Sequence, residues 1–163
     1  SGGMVPAANA LPPGLQQYRR AVGLHKNDER VLIMKSGVVL VAHGSRREEA
    51  NMEIRTLTRE VQEADPPGLY EVAFMQFSSP DLKEAVARLA AQGVQQLVIM
   101  PLFLITGNHV TQDIPAALAE LRPQYPQVEF VMARHFAAHP ALVQIVQDRI
   151  KEALAHRTEE AVR

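Results

Sequence analysis

The chain has no cysteine, which removes disulfides, thiolate metal sites, cysteine nucleophiles and iron–sulfur ligation by this polypeptide. Any metal it binds must be held by nitrogen or oxygen. It has no charge of one sign to spare: 17 Lys and Arg stand against 18 Asp and Glu, a formal charge of -1, so no global basic field attracts nucleic acid. The longest apolar run, residues 97–105, contains Pro101 and is too short to span a bilayer. No membrane segment or secretory signal is expected, and the cytoplasm is the expected compartment. What is present is an ordinary globular composition, 47% hydrophobic and 21% charged over 163 residues, enough for one domain with a real core.

Ser1-Gly2-Gly3 reads as an expression-tag remnant and Met4 as the encoded start. Pro6, Pro12, Pro13 and Gly14 argue against a packed element, and residues 1–36 are expected to form an extension, loosely ordered or ordered against a partner chain. Gly37-Val38-Val39-Leu40-Val41-Ala42 is apolar and β-branched, a first strand. Ala50, Ile54, Leu57, Val61 and Ala64 then recur at helical spacing. Residues 70–77 make a second strand, Ser79-Pro80 the cap and first turn of a helix, and Gly93 its left-handed stop. Residues 94–100 form a third strand, Asp113 caps a helix carrying Ile114, Ala117, Leu118 and Leu121, and residues 128–132 form a fourth. A last helix opens at His139-Pro140, with Leu142, Val146, Ile150, Ala153 and Leu154 on its apolar side. Strands alternating with helices predict an α/β domain over 37–156, a four-stranded parallel sheet flanked by helices, with a tail over 157–163.

In such a sheet the residues just after each strand share one edge, where ligands bind. These are His43, Gln76, His109 and, after the fourth strand, Arg134 and His135. Imidazoles without thiols suit iron(II), cobalt(II), nickel(II) or zinc, and so few protein ligands leave coordination open to exchange and chemistry. Plainer roles fit the other histidines: His139 as a helix cap, His156 as a solvated residue, His25 as part of the extension. Gln76 could equally be a buried hydrogen-bonding residue. Arg46 and Arg47 read as a solvated helix start that could also meet substrate carboxylates. Phe74, Phe77 and Phe103 read as core, although Phe103 could flank a flat ligand. No Walker loop, dinucleotide glycine fingerprint, His-Glu-x-x-His pair or Gly-x-Ser-x-Gly elbow is present.

Three blocks, Val41-Ala42-His43-Gly44-Ser45-Arg46, Ala73-Phe74-Met75-Gln76-Phe77 with Pro80, and Pro101-Leu102-Phe103-Leu104 with Gly107, His109 and Asp113-Ile114-Pro115, together resemble the small class II chelatases of the CbiX and SirB group. The resemblance implies a single chelatase-like, flavodoxin-like domain and insertion of cobalt(II) or iron(II), with nickel(II) a further candidate, into sirohydrochlorin for siroheme or cobalamin. The metal is then a substrate and no organic cofactor is needed. His43 and His109 would be the metal-binding and catalytic pair. Gln76 would assist them, at a position where the family commonly has a glutamate; a glutamine cannot carry charge or take a proton near neutral pH. Gly44, Ser45, Arg46, Phe103, Gly107 and Asn108 would meet the tetrapyrrole, with helix starts helping to hold its carboxylates. The small members pair as homodimers, and neither nucleic acid nor membrane is an expected partner. A metal carrier, or a tetrapyrrole-binding module without turnover, would use the same histidines.

Overall fold

The computed structural model describes residues 35–65, 68–137 and 139–161, with 156–161 as backbone alone. The expected extension up to residue 34 and the side chains of the 157–163 tail lie outside the described residues. Four strands, β1 (Ser36–Ala42), β2 (Leu69–Phe74), β3 (Gln96–Pro101) and β4 (Glu129–Met132), pair in parallel in the order β2-β1-β3-β4. The helices between them are α1 (Glu48–Ala64), α2 (Leu82–Ala91) and α3 (Ile114–Leu121), and α4 (Pro140–Ala161) comes after β4. The architecture is the expected α/β one. No helix among the described residues is long and apolar enough to cross a membrane.

Strand order decides which face each helix covers. The step from β1 to β2 runs one way along the sheet and the steps from β2 to β3 to β4 run the other, so right-handed crossovers put α1 on one face and α2 and α3 on the opposite face. The larger core joins Val39, Val41, Leu97, Ile99 and Phe130 to Leu82, Val86 and Leu89 of α2 and Ile114, Leu118 and Leu121 of α3. The smaller one joins Ala42, Val72 and Phe74 to Ile54 of α1 and to Leu102. Burying a large aliphatic side chain contributes roughly 1.5–3 kcal/mol, so the larger cluster is the main anchor of the sheet.

Several local expectations are corrected. The second strand ends at Phe74, not Phe77; Phe77 is exposed at φ +64° and is no core residue. The Ser79–Pro80 peptide is cis, and α2 is capped instead by Asp81. Its carboxylate accepts from the Glu84 amide while Glu84 accepts from the Asp81 amide, each at 2.8 Å, so two orphan donors are satisfied reciprocally. Gly93 ends α2 at φ +78°, as its position implies. In α1 the buried positions are Asn51 and Thr58, whereas Leu57 and Ala64 face outward. Hydrophobic spacing misplaced that stripe because both polar side chains are satisfied locally, Thr58 Oγ1 by the Ile54 carbonyl at 2.9 Å and Asn51 by the backbone of Ser45.

The last helix departs furthest. Leu142 is half-buried, but Val146, Ile150, Ala153 and Leu154 are exposed. The sheet face that a fourth helix would cover is correspondingly open: Val98 and Met100 are half-buried and Val131 is exposed. The segment between β4 and α4 is bound to β3 and to the loop after it, Ala133 N–H donating to the Ile99 carbonyl at 2.9 Å and Phe136 N–H to the Phe103 carbonyl at 3.1 Å. Helix α4 therefore starts at the carboxyl edge of the sheet without laying its apolar stripe on it. His139 does cap it, its Nδ1 accepting from the Ala141 amide at 3.1 Å.

Candidate active site

The first half of the site is built on the end of β1. Met75 N–H donates to the Ala42 carbonyl at 2.9 Å and Gln76 N–H to the His43 carbonyl at 3.1 Å, so the β1–β2 ladder runs on past β2 and fixes residue 76 beside residue 43. Gly44 sits at φ +87°, and a Cβ there would lie 1.8 Å from the Gln76 carbonyl oxygen. Only glycine fits this approach. Arg55 of α1 holds the loop that carries Gln76, donating to the Ser79 carbonyl at 2.7 Å and to Ser78 Oγ at 3.2 Å while lying over the Phe74 ring. The turn after His43 is fixed by buried Asn51, which accepts from the Ser45 amide and donates to the Ser45 carbonyl, both at 2.9 Å.

The second half is built on the end of β3. Leu102 N–H donates to the Val41 carbonyl at 2.8 Å, Phe103 packs against the larger core, and the chain then turns at Gly107. The Gly107 carbonyl accepts from the amides of Val110 and Thr111 and from Thr111 Oγ1. This opens a π-helical turn, His109–Asp113, a local geometry frequent at functional sites. Asp113 was expected to cap α3. It makes no capping bond; its Oδ2 accepts from His109 Nδ1 at 2.7 Å. Four residues apart on one turn, the two side chains lie on the same face.

The topology brings His43 and His109 together, their ring centroids 4.7 Å apart at an interplanar angle of 70°. Phe103 lies beside His109 at 5.7 Å, tilted by 31°. Gln76 Nε2 is 2.8 Å from His43 Nε2 and 3.4 Å from His43 Nδ1, so the amide lies over the imidazole face, and His43 Nδ1 is 3.0 Å from the Gly44 carbonyl oxygen. Because that oxygen only accepts, Nδ1 carries the hydrogen of His43, and because a carboxylate only accepts, Nδ1 carries that of His109. Both rings thus have their lone pair on Nε2. Two imidazoles presenting sp² nitrogens in one cleft fit a borderline divalent ion. No cluster of three or more His, Cys, Asp or Glu side chains able to hold an ion occurs among the described residues, so coordination by the pair would stay open.

The remaining expected residues divide. Arg46 is exposed over the Phe77 ring, 4.9 Å from its centroid. Arg47, Gly107 and Asn108 are exposed, and Ser45 Oγ accepts from the Arg47 amide. Gln76 is exposed, not the buried hydrogen-bonding residue of the plainer reading. The start of α1 carries Glu48 and Glu49, which already complement its positive end, so that helix start gives a substrate carboxylate less help than expected. His135 shares a 3.1 Å hydrogen bond with Thr106, and Arg134 is exposed. Sequence reasoning missed Asp113, Asn51 and Arg55 as parts of the site. The His-x-x-x-Asp spacing was the available signal for the first; the other two act through loops whose course no local pattern gives.

A parallel four-stranded sheet with two imidazoles facing each other at its carboxyl edge defines an α/β protein suited to handling a divalent ion. The CbiX family matches residues 37–153, and the chain belongs to that family. It is 36% identical over 138 residues to a sirohydrochlorin cobaltochelatase of Methanothermobacter thermautotrophicus, covering 74% of this chain and 94% of that one. It is 30% identical over 120 residues to the chloroplastic sirohydrochlorin ferrochelatase of Arabidopsis thaliana, covering 74% of this chain and 53% of the relative. A solved structure of a CbiX protein of cobalamin (vitamin B12) biosynthesis from Marinobacter aquaeolei superposes with a TM-score of 0.65 at 29% identity, covering 74% of this chain and 98% of that one. The chain spans about half the length of the longer curated relatives it matches.

Proposed function

We propose that the chain inserts a divalent ion, cobalt(II) or iron(II), into sirohydrochlorin, as the names of its cobaltochelatase and ferrochelatase relatives suggest. The observation that carries this reading is the facing of His43 and His109 across 4.7 Å. Insertion needs an ion stripped of some of its water, a macrocycle brought over it, and acceptors for the two ring N–H protons that the ion displaces. In this reading His109 and His43 hold the ion through their Nε2 atoms and release it stepwise to the ring nitrogens. The vacated imidazoles, as ring-nitrogen bases, then relay the displaced protons to solvent. Phe103 offers a flat flank for the macrocycle, and Arg46 and Arg47 offer cations to its carboxylates. Ser45, Gly44, Gly107 and Asn108 complete the rim. Gln76 contributes hydrogen bonding, not charge.

The reading extends to a working homodimer. Its support is that one chain spans nearly all of the small relatives but half of the longer ones, and that the apolar stripe of α4 and the Val98, Met100 and Val131 patch are both left open. The experiment is a rate measurement. Sirohydrochlorin and cobalt(II) or iron(II) are mixed with and without the protein, and the absorption change is monitored. Acceleration that disappears in His43→Ala and in His109→Ala is the expected result; metal binding without acceleration would make the protein a carrier.

A further inference from the structure

We propose that Phe77 is a positioning residue for the tetrapyrrole: its ring holds the Arg46 guanidinium beside the cleft, ready to pair with one of the macrocycle's carboxylates. The proposal rests on the reading of sirohydrochlorin as the substrate. Its first ground is a backbone conformation that a phenylalanine does not favour. Phe77 sits at φ +64°, where a Cβ crowds the backbone and glycine or asparagine is the usual occupant. A bulky residue held there is a genuine outlier. Burial does not explain it, because Phe77 is 52% exposed. The contact its ring does make is with Arg46, whose guanidinium carbon lies 4.9 Å from the ring centroid. Strain of this kind clusters at ligand clamps, where the surroundings impose it.

The second ground is the contrast with a neighbouring pair. Arg55 lies over Phe74 at the same 4.9 Å, but that ring is buried and that guanidinium is committed. It donates to the Ser79 carbonyl at 2.7 Å and to Ser78 Oγ at 3.2 Å, with a Glu48 carboxylate oxygen 3.9 Å away. Arg55 holds the loop. Arg46 is exposed, and its guanidinium has no hydrogen bond or ion pair among the described residues. An arginine over an aromatic ring keeps N–H donors for a planar, bidentate acceptor, and a carboxylate is such an acceptor. Backbone bonds tie both residues to the site. Gln76, the residue before Phe77, donates its N–H to the His43 carbonyl at 3.1 Å, and Arg46 follows the turn that Asn51 fixes through Ser45. The cation and its ring therefore stand on the β1 and β2 side of the cleft, while Phe103 stands beside His109 on the β3 side.

The test is binding of metal-free sirohydrochlorin to the whole chain, monitored by the tetrapyrrole's own absorption, alongside the insertion rate. Phe77→Leu keeps an apolar side chain and removes the ring, Phe77→Tyr keeps the ring, and Phe77→Gly takes the same φ without strain. Phe77→Leu and Phe77→Gly should weaken binding and raise KM by about two- to fivefold, the worth of one exposed cation–π contact. Affinity for cobalt(II) alone and kcat should hold, Phe77→Tyr should bind like wild type, and Phe77→Gly should melt no lower than wild type. In an Arg46→Ala background Phe77→Leu should cost nothing further. Binding unchanged in Phe77→Leu, or a loss that persists without Arg46, overturns the proposal. So does a Phe77→Gly protein that melts lower with binding intact, which would mark a purely structural residue. Tetrapyrrole binding with the expected pattern but no acceleration of insertion overturns the chelatase reading and leaves the positioning role standing, a separate outcome.

Discussion

Asp113 and His109 form a 2.7 Å pair within a single π-helical turn, and that bond occupies Nδ1 and leaves Nε2 as the ring's metal-binding nitrogen. A carboxylate behind a ligating histidine fixes ring orientation and raises ligand basicity, and losing such a partner typically lowers metal affinity by about 10- to 100-fold. Asp113→Ala should weaken cobalt(II) binding by that order. Asp113→Asn, whose carbonyl oxygen can still accept from Nδ1, should recover much of it. Equal losses in the two variants would show that the bond does not set the orientation.

Gly44 is the point where the two halves of the first loop touch. Gly44→Ala must relieve a 1.8 Å contact with the Gln76 carbonyl and hold alanine at φ +87°, a backbone region that alone costs about 1–3 kcal/mol. Thermal unfolding should fall by at least several degrees, and metal insertion should fall further than stability, since the displaced loop carries Gln76. A fully active, equally stable Gly44→Ala protein would contradict the described loop.

Asn51 links the active-site turn to α1 through two 2.9 Å hydrogen bonds with Ser45. Replacing it with Ala leaves the Ser45 amide and carbonyl to find other partners, at a cost of about 1–3 kcal/mol. Denaturant unfolding should show that loss together with a raised KM for the tetrapyrrole, because Ser45 and Arg46 lose their fixed position. A loss of stability with KM unchanged would confine Asn51 to a structural role.

The open stripe of α4 gives the dimer its own test, and the absence of cysteine makes it clean. With Val131→Cys and Val146→Cys in one chain, a dimer that seats α4 of one copy on the open sheet patch of the other should give a disulfide-linked dimer on non-reducing gels. Val146→Asp with Ile150→Asp should shift the proposed dimer to monomer by light scattering. Only intrachain disulfide, or a dimer indifferent to the aspartates, would place any interface elsewhere.

The sequence makes the ends of the strands legible because the apolar runs at 37–42 and 97–101 are bounded by His43-Gly44 and by the loop that leads to Gly107. Parallel pairing then does the rest: Val41 lies opposite Pro101 and Ala42 opposite Phe74, which levels His43, Gln76 and the start of the His109 loop at one edge. Periodicity failed where polar groups are satisfied at short range. Asn51 and Thr58 take buried positions that hydrophobic spacing gave to Leu57 and Ala64, and Asp113 answers a histidine instead of a helix terminus. In α4 the stripe that periodicity marks is exposed but for half-buried Leu142, because a stripe does not say what covers it.

The most direct test of the central claim is the position of cobalt(II) in crystals of the metal-loaded protein, located by anomalous scattering at the cobalt edge. The account predicts one strong peak in the cleft, within bonding distance of the Nε2 atoms of both His43 and His109. A peak on other residues, with His43 and His109 free of metal, would contradict it.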